Sequence, residues 1–177
     1  DANGRFAGES VGPPKDTILP LGAEGPRAMT ILAAVDENER SKHVIRITHD
    51  LATTDGDDLA VLHVIPTEEH DEHQKSIRNI PEFEDFSFNA EVESAERFAR
   101  KFVLETIEDV DGERLDPRGR VGDVAEEIIT EAEQADPRFL VISGRRRSPT
   151  GKALFGNTTQ KVLLNVDCPV VTRMDDL

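Results

Sequence analysis

Apolar residues in this chain gather into short unbroken runs, and between the runs they recur at helical spacing. The run TILAAV over residues 30–35 is continuous, as in a strand covered on both faces of a parallel sheet, and LAVLHVI over 59–65 repeats the pattern until Pro66 stops it. Between them Asn38 is a candidate N-cap, and Val44, Ile47 and Leu51 predict a helix from 38 to about 53, closed by the turn TTDGDD. Residues 66–89 are acidic, carry Pro and Phe without a period, and read as a long surface excursion. The clearest helix spans 90–109, its apolar face running through Val92, Ala95, Phe98, Ala99, Phe102, Val103 and Ile107.

A weaker strand over 113–121, interrupted by Pro117 and Gly119, suits a sheet edge. Asp123 followed by Glu126 makes a variant of the capping box, and Val124, Ala125, Ile128, Ile129 and Ala132 give the next helix its apolar face before Asp136 and Pro137 end it. A strand over 139–143 ended by Gly144, a helix over 158–165 and a final strand over 169–173 complete the pattern. Strands alternating with amphipathic helices predict an α/β fold, a five-stranded parallel sheet of order 3-2-1-4-5 with helices on both faces. This domain takes up residues 29–177. Residues 1–28, with five Gly and four Pro and no sustained period, read as a disordered tail, and Met29 is a candidate natural start.

Composition narrows the partners. Thirty-six acidic residues against twenty-one basic ones give a formal charge of −15, which repels nucleic acid and anionic membrane, so neither is an expected partner. The basic residues are fifteen Arg and six Lys, and a strongly acidic, lysine-poor surface suits concentrated salt, hence a halophilic cytosol. A thermal unfolding transition unchanged between low and molar salt would count against this expectation. No apolar run approaches the roughly 18 residues needed to span a bilayer and no signal-peptide pattern opens the chain, so the expected compartment is the cytoplasm. Cys168 stands alone, and its apolar neighbours suit a small buried hydrophobe.

The candidate chemistry lies between 138 and 171. In an open parallel sheet ligands bind beyond the carboxyl ends of the strands, where the strand order reverses. The order 3-2-1-4-5 brings Val35 and Asp36, His63 and Val64, and the loop from Gly144 to Thr158 to one crevice. Gly156 precedes Asn157 and Thr158 at a helix start, where free backbone N–H groups can cradle a phosphate; the other reading is that both glycines only make turns. Asp36 could orient a base or a ribose hydroxyl, or simply cap the first helix. Arg145, Arg146 and Arg147 form a basic run in an acidic chain, either pairing with phosphate or standing as a solvated loop. His70 and His73 have metal-like spacing but lie among acids in the excursion, and read as solvated rather than as a metal site. A Walker A loop is absent, because Arg146 stands where its first glycine belongs and Ala153 where its hydroxyl belongs. No pattern nominates a catalytic residue.

From Met29 to Arg173 the chain resembles the universal stress protein (UspA-like) family. The matching pieces are Val35-Asp36, Leu62-His63-Val64, Gly122-Asp123, and Gly144 through Thr158 followed by Cys168-Pro169-Val170-Val171. The resemblance implies a Rossmann-like fold of the adenine nucleotide alpha hydrolase kind, with ATP or a related adenine nucleotide at the switch point and Mg2+ accompanying it. Carried over by position, Asp36 and Val64 would meet the adenine, Gly144 the ribose, and Gly156, Asn157 and Thr158 the phosphates. Arg147 occupies the place of the family's second glycine, its distance to Gly156 is one residue short, and Asn157 replaces a Ser or Thr; the arginine either supplies a charge contact or fills the pocket. The resemblance also implies a homodimer formed through the last strand.

The expected function is that of a nucleotide-binding stress or regulatory protein. Two alternatives stay open, a dimeric interaction protein of the same fold that has lost nucleotide affinity, and a slow ATPase, phosphatase or adenylating enzyme.

Overall fold

A computed structural model describes residues 29–67, 84–145 and 155–175 of the 177, without the side chains of 84–87 and 175. The expected tail over 1–28, His70 and His73, and Arg146 and Arg147 lie outside the described residues.

In chain order the elements are β1 (Thr30–Val35), α1 (Glu39–Asp55), β2 (Asp58–Pro66), α2 (Glu84–Thr106), β3 (Leu115–Gly122), α3 (Val124–Ala135), β4 (Phe139–Arg145), α4 (Asn157–Asn165) and β5 (Val170–Asp175). The five strands form one parallel sheet of order β3-β2-β1-β4-β5. This is the fold class and strand order expected from the alternation of patterns.

The unbroken apolar runs follow from burial on both faces. Along β1, Ile31, Ala33 and Val35 join a cluster with Val44 and Ile45 of α1 and Phe102 and Val103 of α2. Leu32 points the other way, into a cluster with Ala125, Ile128 and Ala132 of α3 and Val162 of α4. Successive strand residues face opposite sides, so α1 and α2 cover one face and α3 and α4 the other. β3 is an edge strand, as Pro117 and Gly119 suggested, and Gly119 is what lets α2 lie against it. A Cβ at Gly119 would sit 2.2 Å from the carbonyl oxygen of Val92 and 2.8 Å from both Ala95 Cβ and Glu96 N.

Three local readings change. The long excursion over 66–89 is shorter than its composition suggested. Pro66 is the last residue of β2, in register with Gly122, and residues 84–89 already belong to α2. Phe88, Val92, Ala95 and Ala99 extend the helical period one turn upstream of where it was read. Gly144 does not end its strand, because β5 runs to Asp175 and holds Gly144 and Arg145 in register with Met174 and Asp175. The capping box at α3 is half formed. The Asp123 carboxylate accepts the N–H of Glu126 at 3.0 Å, but the Glu126 carboxylate turns outward to Lys161 of α4 at 2.9 Å. Among the described residues no helix is long and apolar enough to cross a membrane.

Candidate functional site

The chain leaves β1 to build β2 and β3 on one side, then returns to place β4 on the other, so β1 and β4 diverge at their carboxyl ends. A crevice of about 540 Å3 opens there. Asp36, Val64, Gly144, Gly156 and Thr158 all line it, as do His63 and Arg145. Asn157, the first residue of α4, is exposed and is not part of the lining.

Asp36 follows β1 and organises the turn into α1. Its carboxylate accepts the backbone N–H of Asn38 at 3.0 Å, the Asn38 side-chain amide at 2.7 Å and the Ser41 hydroxyl at 2.6 Å. Asp36 therefore holds the turn before α1 rather than capping it, because the backbone N–H it accepts belongs to Asn38, and Asn38, at the N-cap position, makes no side-chain cap of its own. Burial alone would push the Asp36 carboxyl up; the bonds from Ser41 and Asn38, with the charge of Arg40, outweigh it and hold the group below its usual range. A carboxylate offers about four acceptor sites. Three are used, which leaves one on Oδ2.

On β2, His63 and Val64 turn to opposite faces. Val64 is buried and supplies an apolar wall, in one cluster with Leu62 and Ile142. The Nδ1 of His63 lies 3.0 Å from the carbonyl oxygen of Val35, and its ring packs on Phe98 with centroids 4.2 Å apart. A carbonyl only accepts, so Nδ1 donates to it and Nε2 is the ring nitrogen left for another partner.

On the β4 side the two glycines differ. Gly144 has a packing reason: a Cβ there would lie 2.5 Å from Met174 Sδ and 3.3 Å from Thr159 Cγ2. Gly156 has none among the described residues. It is the N-cap of α4 with φ −65° and ψ 158°, a conformation open to any residue, and a Cβ there would meet nothing within 4 Å. With no side chain to cap and no acid in the first turn, α4 differs from α3, whose Asp123 caps it and whose first turn holds Glu126 and Glu127. Thr159 anchors this end through a 3.3 Å bond from its hydroxyl to the carbonyl oxygen of Ser143.

Two residues of the site were missed by sequence reasoning. Ser41, buried in α1, fixes Asp36, and Arg40 lines the crevice. Their signal was their distance, four and five residues beyond Asp36, which lays the first turn of α1 beside the end of β1. No group of three or more His, Cys, Asp or Glu among the described residues could hold a metal ion. Cys168 is half-buried beside the α3 and α4 cluster, and burial pushes its thiol up.

Comparison with known proteins bears on this geometry. The model of the universal stress protein family matches residues 28–172. A universal stress protein of Mycolicibacterium smegmatis (strain ATCC 700084 / mc(2)155) is 37% identical over 79 residues, which is 42% of this chain and 61% of that protein, so the match spans less than two thirds of the relative's length. The structure of a universal stress protein from Archaeoglobus fulgidus superposes with a TM-score of 0.52 at 23% identity, covering 81% of this chain and 97% of the other. A universal stress protein solved in complex with cAMP gives a TM-score of 0.53 at 13% identity, covering 83% and 97%. At such identities these two likenesses establish the fold alone.

Proposed function

This chain belongs to the universal stress protein family, and from that premise we propose that its switch-point crevice binds an adenine nucleotide, ATP or a relative of it, whose occupancy shifts a conformational or association equilibrium. The observation that carries this reading is Gly156. Neither its backbone angles nor its described neighbours call for glycine, yet it stands at an uncapped helix start on the rim of the crevice. A bare backbone there leaves the first N–H groups of α4 and the positive end of the helix open to a phosphate.

The remaining walls suit the rest of such a ligand. The volume of about 540 Å3 falls in the usual range for small-molecule sites. Val64 offers an apolar face to the base, and the remaining acceptor site of Asp36 can take an N–H or O–H of the base or ribose. Gly144 stands where the ribose would pass, with Thr158 beside the phosphates. Arg147 is proposed to approach the same phosphates. Mg2+ would be carried by the phosphates and water. The fold neighbour holding cAMP supports this class of ligand. The reading includes a homodimer joined through the outer edge of β5, and a monomer in sedimentation at micromolar concentration would overturn that part.

Calorimetric titration of the full chain with ATP, ADP, AMP and cAMP tests the binding. Saturable heat is expected, and Gly156→Val should remove it while leaving the thermal midpoint in place, since no described residue lies within 4 Å of a Cβ at Gly156. Absence of heat at millimolar nucleotide would sink the proposal and leave the interaction protein without nucleotide affinity as the reading.

A further inference from the structure

We propose that Arg40 is a specificity-determining residue of the crevice, pairing with the phosphate of the bound nucleotide rather than serving the fold; this rests on the nucleotide reading above. Arg40 lies in the first turn of α1 and lines the crevice with Asp36, Arg145, Gly156 and Thr158. Its Nε is buried and has no hydrogen-bond partner among the described residues.

The contrast with other cations decides what this means. Arg118 and Arg120 share Glu131, Arg138 binds Asp55 and Asp57, and Lys161 bridges Asp123 and Glu126. Arg46 and Arg100 are exposed, and water serves them. Arg40 fits neither group. In a chain with 36 acidic residues it forms no ion pair among the described residues, and a buried Nε–H without an acceptor carries a cost that an incoming acceptor would relieve. The acids that line the crevice with it are Asp36 and Glu37. The Asp36 carboxylate is already held by Asn38 and Ser41, and Arg40 acts on it only through space. A guanidinium so placed is kept for an anion that arrives from outside, and its planar fork matches two phosphate oxygens. It approaches from the β1 side while α4 presents its uncapped N-terminus from the β4 side, so the phosphate is met from two walls. The crevice then discriminates between a nucleotide and its nucleoside by charge.

The test compares wild type, Arg40→Gln, Arg40→Lys and, as a control outside the crevice, Arg46→Gln. Each is titrated with ATP, AMP, adenosine and inorganic tripolyphosphate, and its thermal midpoint is recorded. Arg40→Gln should weaken ATP and AMP about tenfold or more, as loss of a charge-assisted bond does, and flatten the salt dependence of their binding. It should leave adenosine unchanged and the thermal midpoint equal or higher. Arg40→Lys should recover part of the affinity and Arg46→Gln should match wild type. ATP binding by Arg40→Gln at wild-type affinity overturns the assignment, and so does a lowered midpoint with adenosine and ATP weakened alike, which would mark a structural role. Tripolyphosphate bound through Arg40 without any adenine compound would uphold Arg40 and overturn the adenine reading. A wild type that binds none of the four overturns both.

Discussion

The hydroxyl of Ser41 bonds to Asp36 twice, accepting its backbone N–H at 2.9 Å and donating to its carboxylate at 2.6 Å. Ser41 is fully buried and Asp36 is exposed, so the pair ties the end of β1 to the first turn of α1 from the protein side. Ser41→Ala should cost about 1 kcal/mol at neutral pH, the usual net worth of hydrogen bonds whose other partner is open to water. It should also raise the Asp36 carboxyl toward its ordinary range, because the Ser41 bond is the largest of the effects that lower it. A depressed carboxyl contributes stability above its unfolded value, near 4, and loses it as pH falls through the folded value. The gap between wild type and Ser41→Ala in urea unfolding is therefore expected to be wider at pH 7 than at pH 3. An equal gap at both would show that the ionised carboxylate is not what Ser41 stabilises.

Gly119→Ala tests how closely α2 lies on β3. The new methyl would meet the Val92 carbonyl at 2.2 Å and Glu96 N at 2.8 Å, both backbone atoms that cannot swing aside. The helix has to lift, and an overpacking cost of about 1–3 kcal/mol is expected as a lower urea midpoint with an unchanged slope. A midpoint equal to wild type would mean that the two elements are not held at this spacing. Gly156→Ala, whose Cβ meets nothing within 4 Å among the described residues, is the matched substitution that should leave the midpoint unmoved.

These two glycines show how far the sequence could be read. The architecture was legible because β1 and β2 are apolar on both faces, which only a doubly covered parallel sheet requires, and the order of the elements then placed the crevice. Gly119 could be assigned to an edge strand, but which backbone it admits depends on α2, a partner distant in sequence. Gly144 and Gly156 look alike in sequence and differ in cause: one clears Met174 across the sheet, the other clears nothing among the described residues. Arg40 looks ordinary in sequence because a charge on a helix turn is common; what sets it apart is three-dimensional, a buried Nε with no hydrogen-bond partner among the described residues. The first turns of α2 were missed because acids, Pro81 and closely spaced phenylalanines obscured a period that Phe88 and Val92 carry.

Glu131 gives the last prediction, on acid stability. It sits on α3 and is 5% exposed, bound by the guanidinium groups of Arg118 and Arg120 from β3. Burial pushes its carboxyl up, but the two arginines outweigh that and hold it below the usual range. The sign follows: its contribution is complete above the ordinary glutamate value and disappears as pH falls through the depressed one. Glu131→Gln removes the charge but keeps the shape. Asp116 still pairs with Arg118, and Glu127 and Gln134 still hold Arg120, so neither arginine is stranded. The expected cost at pH 7 is about 1–3 kcal/mol, less than for an arginine left unpaired. Wild type should lose stability more steeply than the variant below about pH 4.5. Parallel curves for the two proteins between pH 7 and pH 3 would show that the charge of Glu131 is not what fastens α3 to the sheet edge.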